Sequence, residues 1–290
     1  MTKSAATPAA PAAADRRKTS RRSAARPRRV ATPTKLVNAV LGLIGIVLFL
    51  GLWEAVPRLG LVQARYLPPA SEVLTELAAR MATPTFWTAL LDTLLGWGLG
   101  LGIAFLAAVI LGFLIGSVPA LRALTSSTVE FLRPIPSVAL IPLAVLLWAT
   151  DIRSTLLLVV YAAFWQIYIQ VLYGVADIDP VAEQTARSFG MGKLARMRHI
   201  TWPSALPYVL TGLRLGAAVA LILAITSQLI IGTPGLGKEI AVAQASGAPA
   251  VVYALIIATG ALGVIVNVGV RALERRVLHW HTSVRGEAAV

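Results

Sequence analysis

The sequence contains no cysteine. Disulfides, a thiol nucleophile and cysteine metal sites are therefore excluded. Histidine is scarce: His199, His279 and His281 all lie in basic polar stretches. His279 and His281 have no third ligand nearby, so they read as a tail feature and not as a metal site. Acidic residues number only 13. None sits deep in an apolar run, and Asp92 reads as interfacial. Proton relays inside a membrane use such carboxylates, so that chemistry lacks its carriers. No nucleophile–base pair is visible, which leaves an intramembrane enzyme without catalytic groups. A complete phosphate-binding loop is also missing. Residues 232–238 read GTPGLGK, but Glu239 stands where a Mg-binding hydroxyl is needed. The run before it is a candidate membrane span, not the buried strand such a loop requires. The chain is expected to bind no cofactor and no metal of its own.

What is abundant is apolar surface. Apolar residues make up 57% and charged residues 13%. Soluble domains sit near about 45–50% apolar and about 25% charged. The composition predicts an all-α, polytopic membrane protein. Its six apolar runs cover 36–56, 86–118, 136–149, 155–173, 208–231 and 251–270, near the roughly 20 residues that cross a bilayer core. The second run is too long for one upright span. It predicts either a tilted helix or an interfacial stretch, 86–91, followed by a span. Its glycines 96, 98, 100, 102, 112 and 116 include GxxxG spacings, suited to close packing within the chain or against a second copy.

The polar segments divide the rest. Residues 1–35 hold ten basic residues and the single acid Asp15. They lack the large apolar side chains that could order them. Arginine pairs at 16–17, 21–22 and 28–29 raise a twin-arginine signal or a nucleic-acid arm. No short apolar core with a cleavage site follows, so a disordered cytoplasmic tail touching anionic lipid is expected. Residues 67–73 read as a proline turn opening a capped amphipathic helix to about Met81. Residues 119–134 read as a short amphipathic connector, and 232–250 as a Gly/Pro-rich polar loop. Residues 281–290 form a C-terminal tail.

Six spans put both termini on one side. Counted on alternating sides, 21 of the 26 basic residues share the side of the N-terminus. The positive-inside rule places that side in the cytoplasm. The net charge of +13 is then a topology signal, with no need for nucleic acid.

The longest polar passage inside the membrane region is 174–207. Asp179 before Pro180 is a helix start. Ala182, Ala186 and Phe189 fall at helical spacing, predicting one face. Glu183 and Arg187 are placed to pair. Gly190 and Gly192 suit a left-handed helix end. A short basic helix is expected over 193–199, stopped by Pro203 and Pro207. The product is a compact knob of two short helices. Polar groups within the spans, Gln166, Gln170, Gln228 and Asn267, admit two readings. They either hydrogen-bond between helices or line a solute path.

At this point the residues resemble a family. Gln184, Thr185 and Ala186, then Gly190, Ile200 and Trp202-Pro203, are similar to the cytoplasmic Glu-Ala-Ala-x3-Gly-x9-Ile-x-Leu-Pro loop of ABC-importer permeases. Residues 67–73, LPPASEV, resemble the Leu-Pro-Ser-Pro-Ser-x-Val segment of the nitrate/sulfonate/taurine subgroup. Arg133-Pro134-Ile135-Pro136 with Ala139 and Pro142-Leu143 resembles another of its motifs. Gln228 stands where that subgroup carries a glutamate.

The resemblance implies a fold like that of type I ABC-importer permeases and a function in ATP-driven import of a small anionic solute, such as a sulfonate, taurine or nitrate. It implies a homodimer, two cytoplasmic ATPase subunits carrying ATP and Mg, and an extracytoplasmic solute-binding protein. It implies that the loop docks on the ATPase through Ala182, Glu183, Gln184, Thr185, Ala186, Arg187, Phe189, Gly190, Lys193, Ile200 and Pro203. The alternative is an ion-gradient-driven carrier, which calls for intramembrane carboxylates or inverted repeats; neither is seen.

Overall fold

The computed structural model describes residues 35–279. Expectations about the N-terminal tail before Lys35 and about residues 281–290 lie outside the described residues. Among the described residues every regular element is helical: α1 Lys35–Arg58, α2 Ala70–Met81, α3 Pro84–Gly116, α4 Pro119–Leu132, α5 Ile141–Trp148, α6 Ile152–Ala176, α7 Pro180–Ser188, α8 Lys193–Arg196, α9 Trp202–Ile231, α10 Leu236–Ala245 and α11 Pro249–Val277. The chain divides into two compact units between Leu48 and Phe49, inside α1. The first unit shows the start of α1, an apolar helix with Leu41, Leu43 and Leu48 exposed. The second unit holds everything from Phe49 onward.

At the opening of the second unit, Trp53 Nε1 donates to Pro68 O at 3.0 Å. Glu54 accepts from Ser71 N at 2.9 Å and from Ser71 Oγ at 2.8 Å. The start of α2 is therefore capped from α1. No side chain within its own segment does it.

The second unit is organised around α6. Asp151 caps it by accepting from Arg153 N at 2.9 Å. The side chains of Leu158, Val159, Ala163, Ile167 and Val171 are fully buried. Helix α3 runs parallel to α6, with Gly96, Gly100, Gly112 and Gly116 against Thr155, Val159, Val171 and Val175. A Cβ on Gly100 would stand 2.5 Å from Val159 Cγ1, so this approach requires glycine. Those four glycines thus pack within the chain, and α3 is one unbroken helix of 33 residues, about 50 Å long. Helix α9 runs antiparallel on another side of α6, with Gly212 and Gly216 against Ile167.

Three expectations are corrected. The run 136–149 does not form a spanning helix. Residues Ser137–Leu140 are a 3₁₀ turn and α5 has only 8 residues, about 12 Å. The expected connector is α4, and the two halves meet at an 80° bend. Pro134 and Pro136 occupy the break, where each removes a backbone donor. Among the described residues five stretches are long and apolar enough to cross a membrane, and this bent pair makes a sixth if taken as one span. Second, Pro203 and Pro207 do not stop the basic helix. The chain passes from α8 through a π-helical turn, Met197–Thr201, straight into α9. Pro203 follows closely on the π-helical turn and Pro207 lies within α9. Third, the loop 232–250 contains α10, with Leu236, Ile240 and Ala243 buried at helical spacing.

Candidate functional site

The knob is built as the residues suggest at its start. Pro180 opens α7, and Asp179 Oδ1 accepts from Val181 N at 2.8 Å. Tyr208 donates to Asp177 Oδ2 at 2.6 Å, tying the approach to α9. At the other end Met191 N donates to Ala186 O at 3.0 Å and Gly190 N to Arg187 O at 2.9 Å. Gly190 takes φ 75°, the left-handed geometry that closes such a helix end. Gly192 does not; it sits at φ −64° and begins α8.

A carboxylate joins the two short helices. Glu183 Oε1 lies 3.1 Å from Arg187 Nη2 and 3.1 Å from Arg196 Nε. Arg196 Nη1 also donates to Met191 O at 2.9 Å. The Glu183–Arg187 pair is legible from spacing. Arg196 is not, because the turn at Gly190 brings it back. We expect Glu183→Gln to leave membrane insertion intact and to loosen the two short helices, since both arginines lose their anchor. Faster limited proteolysis within residues 180–199 checks this.

The predicted single face of the knob is corrected. Ala182 is half-buried and Ala186 is 5% exposed, both turned toward the rest of the chain. Phe189 is 83% exposed at the tip, because α7 ends at Ser188 and nothing covers the ring. Leu194, also 83% exposed, and Val181 are likewise uncovered, and Gln184, Thr185, Arg187 and Lys193 are exposed on the same two short helices. Ile200 is half-buried at the root of the knob, and Pro203 is exposed there.

The four polar span residues are not brought together. Gln166 is exposed on α6, and Gln170 is half-buried where Gly212 of α9 approaches its Cβ. Asn267 is exposed in a groove between α9 and α11, beside Arg214. Gln228 is only 1% exposed. Its Oε1 accepts from Gly237 N at 3.2 Å and lies 2.9 Å from Thr93 Oγ1. Thr93 in turn accepts from Leu236 N at 2.9 Å. Beside it, Thr155 and Thr233 hydroxyls lie 2.8 Å apart, and Ser227 Oγ donates to Thr155 Oγ1 at 3.0 Å. Gln228 is thus a hub that closes the 232–237 turn onto α3 and α9. The hydroxyls of this cluster come from Thr93, Thr155, Ser227 and Thr233, dispersed over more than a hundred residues, and gave no pattern in the sequence.

Comparison with known proteins adds to this geometry. Residues 108–279 match the family described as binding-protein-dependent transport system inner membrane component. The chain is 31% identical over 258 residues to the taurine transport system permease protein of Escherichia coli (strain K12), covering 87% of this chain and 93% of that protein. It is 29% identical over 253 residues to a putative aliphatic sulfonates transport permease protein of Bacillus subtilis (strain 168), covering 84% and 89%. It is 27% identical over 256 residues to the bicarbonate transport system permease protein of Synechococcus elongatus, covering 84% and 91%. Its fold is similar to a chain of a bacterial ABC transporter involved in the import of the acidic polysaccharide alginate, with a TM-score of 0.59 at 19% identity, covering 83% of this chain and 96% of that one.

Proposed function

Because the chain belongs to the binding-protein-dependent transport system inner membrane component family, we propose that it imports a small anionic solute, a sulfonate, taurine, nitrate or similar. It is a multi-pass membrane protein and the permease subunit of an ABC importer, not an enzyme. Such an importer implies an ATPase and a solute-binding protein. Taurine and aliphatic sulfonates, named for two of its relatives, carry a sulfonate, and bicarbonate, named for a third, is an anion. This supports an anionic cargo for this chain.

The finer reading is a homodimer with the path between its two copies, served by two cytoplasmic ATPase subunits that carry ATP and Mg. The solute arrives from an extracytoplasmic binding protein. The observation that carries the coupling role is the braced knob with a bare apolar tip at Phe189 and Leu194. Two large apolar side chains left this bare on one short polar passage mark a surface for a partner. The partner surface docks on this tip, and Glu183, Arg187 and Arg196 hold it rigid. The carrier alternative finds no support in the relatives.

The test is reconstitution with the ATPase and a binding protein in vesicles. ATP-dependent uptake of radiolabelled taurine or another sulfonate is expected. Uptake driven by an ion gradient without the ATPase would overturn the reading.

Orientation is tested by cysteine labelling, which the cysteine-free chain makes clean. Both tails, and the knob with them, belong in the cytoplasm on the charge imbalance. Ser246 and Arg198 are exposed, whereas Ala243 is buried and unsuitable. In intact cells Ser246→Cys should react with an impermeant maleimide and Arg198→Cys should not. The reverse pattern would invert the topology.

A further inference from the structure

The break in the α4–α5 span places charge where the charge count assumed a loop. Tyr161 of α6 donates to Leu132 O, the last residue of α4. Counted along α6, Tyr161 lies about 14 Å from one end and about 22 Å from the other. Arg133, the next residue, therefore stands level with the middle part of α6, a helix long and apolar enough to cross a membrane. Ionisable groups at such depth are costly and are a mark of function. Removing Arg133 from the charge count leaves the imbalance between the two sides intact.

Arg133 lines a cavity of about 500 Å³ between α4 and α6, with Arg122, Thr125, Ser126, Glu130 and Tyr168. That volume is ordinary for a small-molecule site. Two guanidiniums outnumber the one carboxylate on its wall. The hydroxyls of Thr125 and Ser126 are committed to Leu121 O and Ala123 O, at 2.8 and 2.9 Å. Tyr168 is different. Its residue is 2% exposed, the Thr125 hydroxyl and the Arg122 charge both act on its hydroxyl, and that hydroxyl makes no hydrogen bond of full geometry. Buried donors are nearly always paired. A phenol O–H without a full hydrogen bond, in the field of a guanidinium and in a cavity lined by two guanidiniums and one carboxylate, is a donor open to an acceptor.

We propose that this cavity binds a small oxyanion, held by Tyr168 Oη and Arg122, with Arg133 at its inner end. This deepens the transport reading and rests on it: the site would be a station for the anionic cargo within the membrane domain. A lipid phosphate offers the same chemistry, so the test separates the two sources. Glu130 adds a cation-attracting group to the wall and favours a cargo that carries an ammonium as well as the oxyanion.

The experiment uses the purified permease–ATPase complex in phosphatidylcholine vesicles, with radiolabelled 2-aminoethanesulfonate as probe. Tyr168→Phe keeps the ring and removes only the donor. It should weaken binding about tenfold, and Arg122→Gln by at least as much. Arg122→Lys, which keeps the charge, should lose about threefold. In a second arm, native mass spectrometry follows retained phosphatidylglycerol. If the sulfonate is unaffected but the lipid is lost from Tyr168→Phe, the oxyanion site stands and its source is the lipid. If both bind the variants as they bind the unmodified protein, or the unmodified protein binds neither, the proposal is overturned. Failure of the importer reading shows differently, as an absence of ATP-driven uptake in the unmodified protein, whatever the binding arms report.

Discussion

Replacing Phe189 and Leu194 together by aspartate is expected to abolish ATP-driven uptake and to strip the ATPase from the purified permease. Both side chains are 83% exposed, and neither supports the fold of this chain. A partner groove that receives them loses two apolar anchors and must bury two unpaired charges, each strongly unfavourable without a counter-charge. Membrane insertion should be unchanged, because the apolar spans are untouched. Ala186→Asp is the informative contrast. Ala186 is buried against this chain, so that variant should loosen the knob itself and give a protease-sensitive loop, a different defect from lost docking. Gly190→Arg should also uncouple, by strain and by bulk. Its φ of 75° disfavours any side chain, at about 1–2 kcal/mol, while the space around it is open. Lys193→Glu should do little, since exposed pairs are worth about 0–1 kcal/mol. Co-purification and ATPase activity of each variant decide the matter. If the double aspartate variant still binds the ATPase and couples normally, the knob is a connector and the docking assignment is wrong.

Gly237→Val should produce the largest loss of stability in the membrane domain. A Cβ at position 237 would stand 2.3 Å from Ile225 O and 2.8 Å from Leu229 N. Both are backbone atoms of α9 and cannot rotate away. Gly237 N also donates to the buried Gln228, so displacing the turn leaves polar groups of the hub unpaired, at about 1–3 kcal/mol each. A fall of about 10 °C or more in the melting temperature of the detergent-solubilised protein is expected. Gln228→Ala should show a smaller fall. Gln228→Glu would bury a charge or a proton in the hub, because the side chain is enclosed. A melting curve for Gly237→Val like that of the unmodified protein would mean the turn is not packed as described.

Much of the knob was legible before any coordinates. The Asp179–Pro180 start, the Glu183–Arg187 pair and the left-handed Gly190 are all local, governed by residues within one or two helical turns. What failed was the assignment of faces. Helical spacing put Phe189 with Ala186, but spacing holds only while the helix lasts, and α7 ends one residue earlier. The prolines misled for a related reason. Pro134 and Pro136 sit at a break, whereas Pro203 and Pro207 lie inside α9. Only position along the helix separates the two outcomes.

The sequence by itself determined the solvent this protein lives in, the helical class, the charge asymmetry and the polar passage between spans. These depend on composition and on short periodicities, which survive without knowledge of neighbours. Tertiary structure decided what each polar side chain faces. Gln228 and Asn267 look alike in sequence, each an amide in an apolar run, yet one is enclosed by Thr93, Gly235 and Gly237 and the other is exposed. Arg133 reads as a connector residue in sequence, yet the Tyr161 hydrogen bond to Leu132 O sets it level with the middle part of α6. Partners separated by dozens of residues are set by helix packing, and the pairing of α3 and α9 with α6 depends on glycines and small side chains that carry no polar signature of their own.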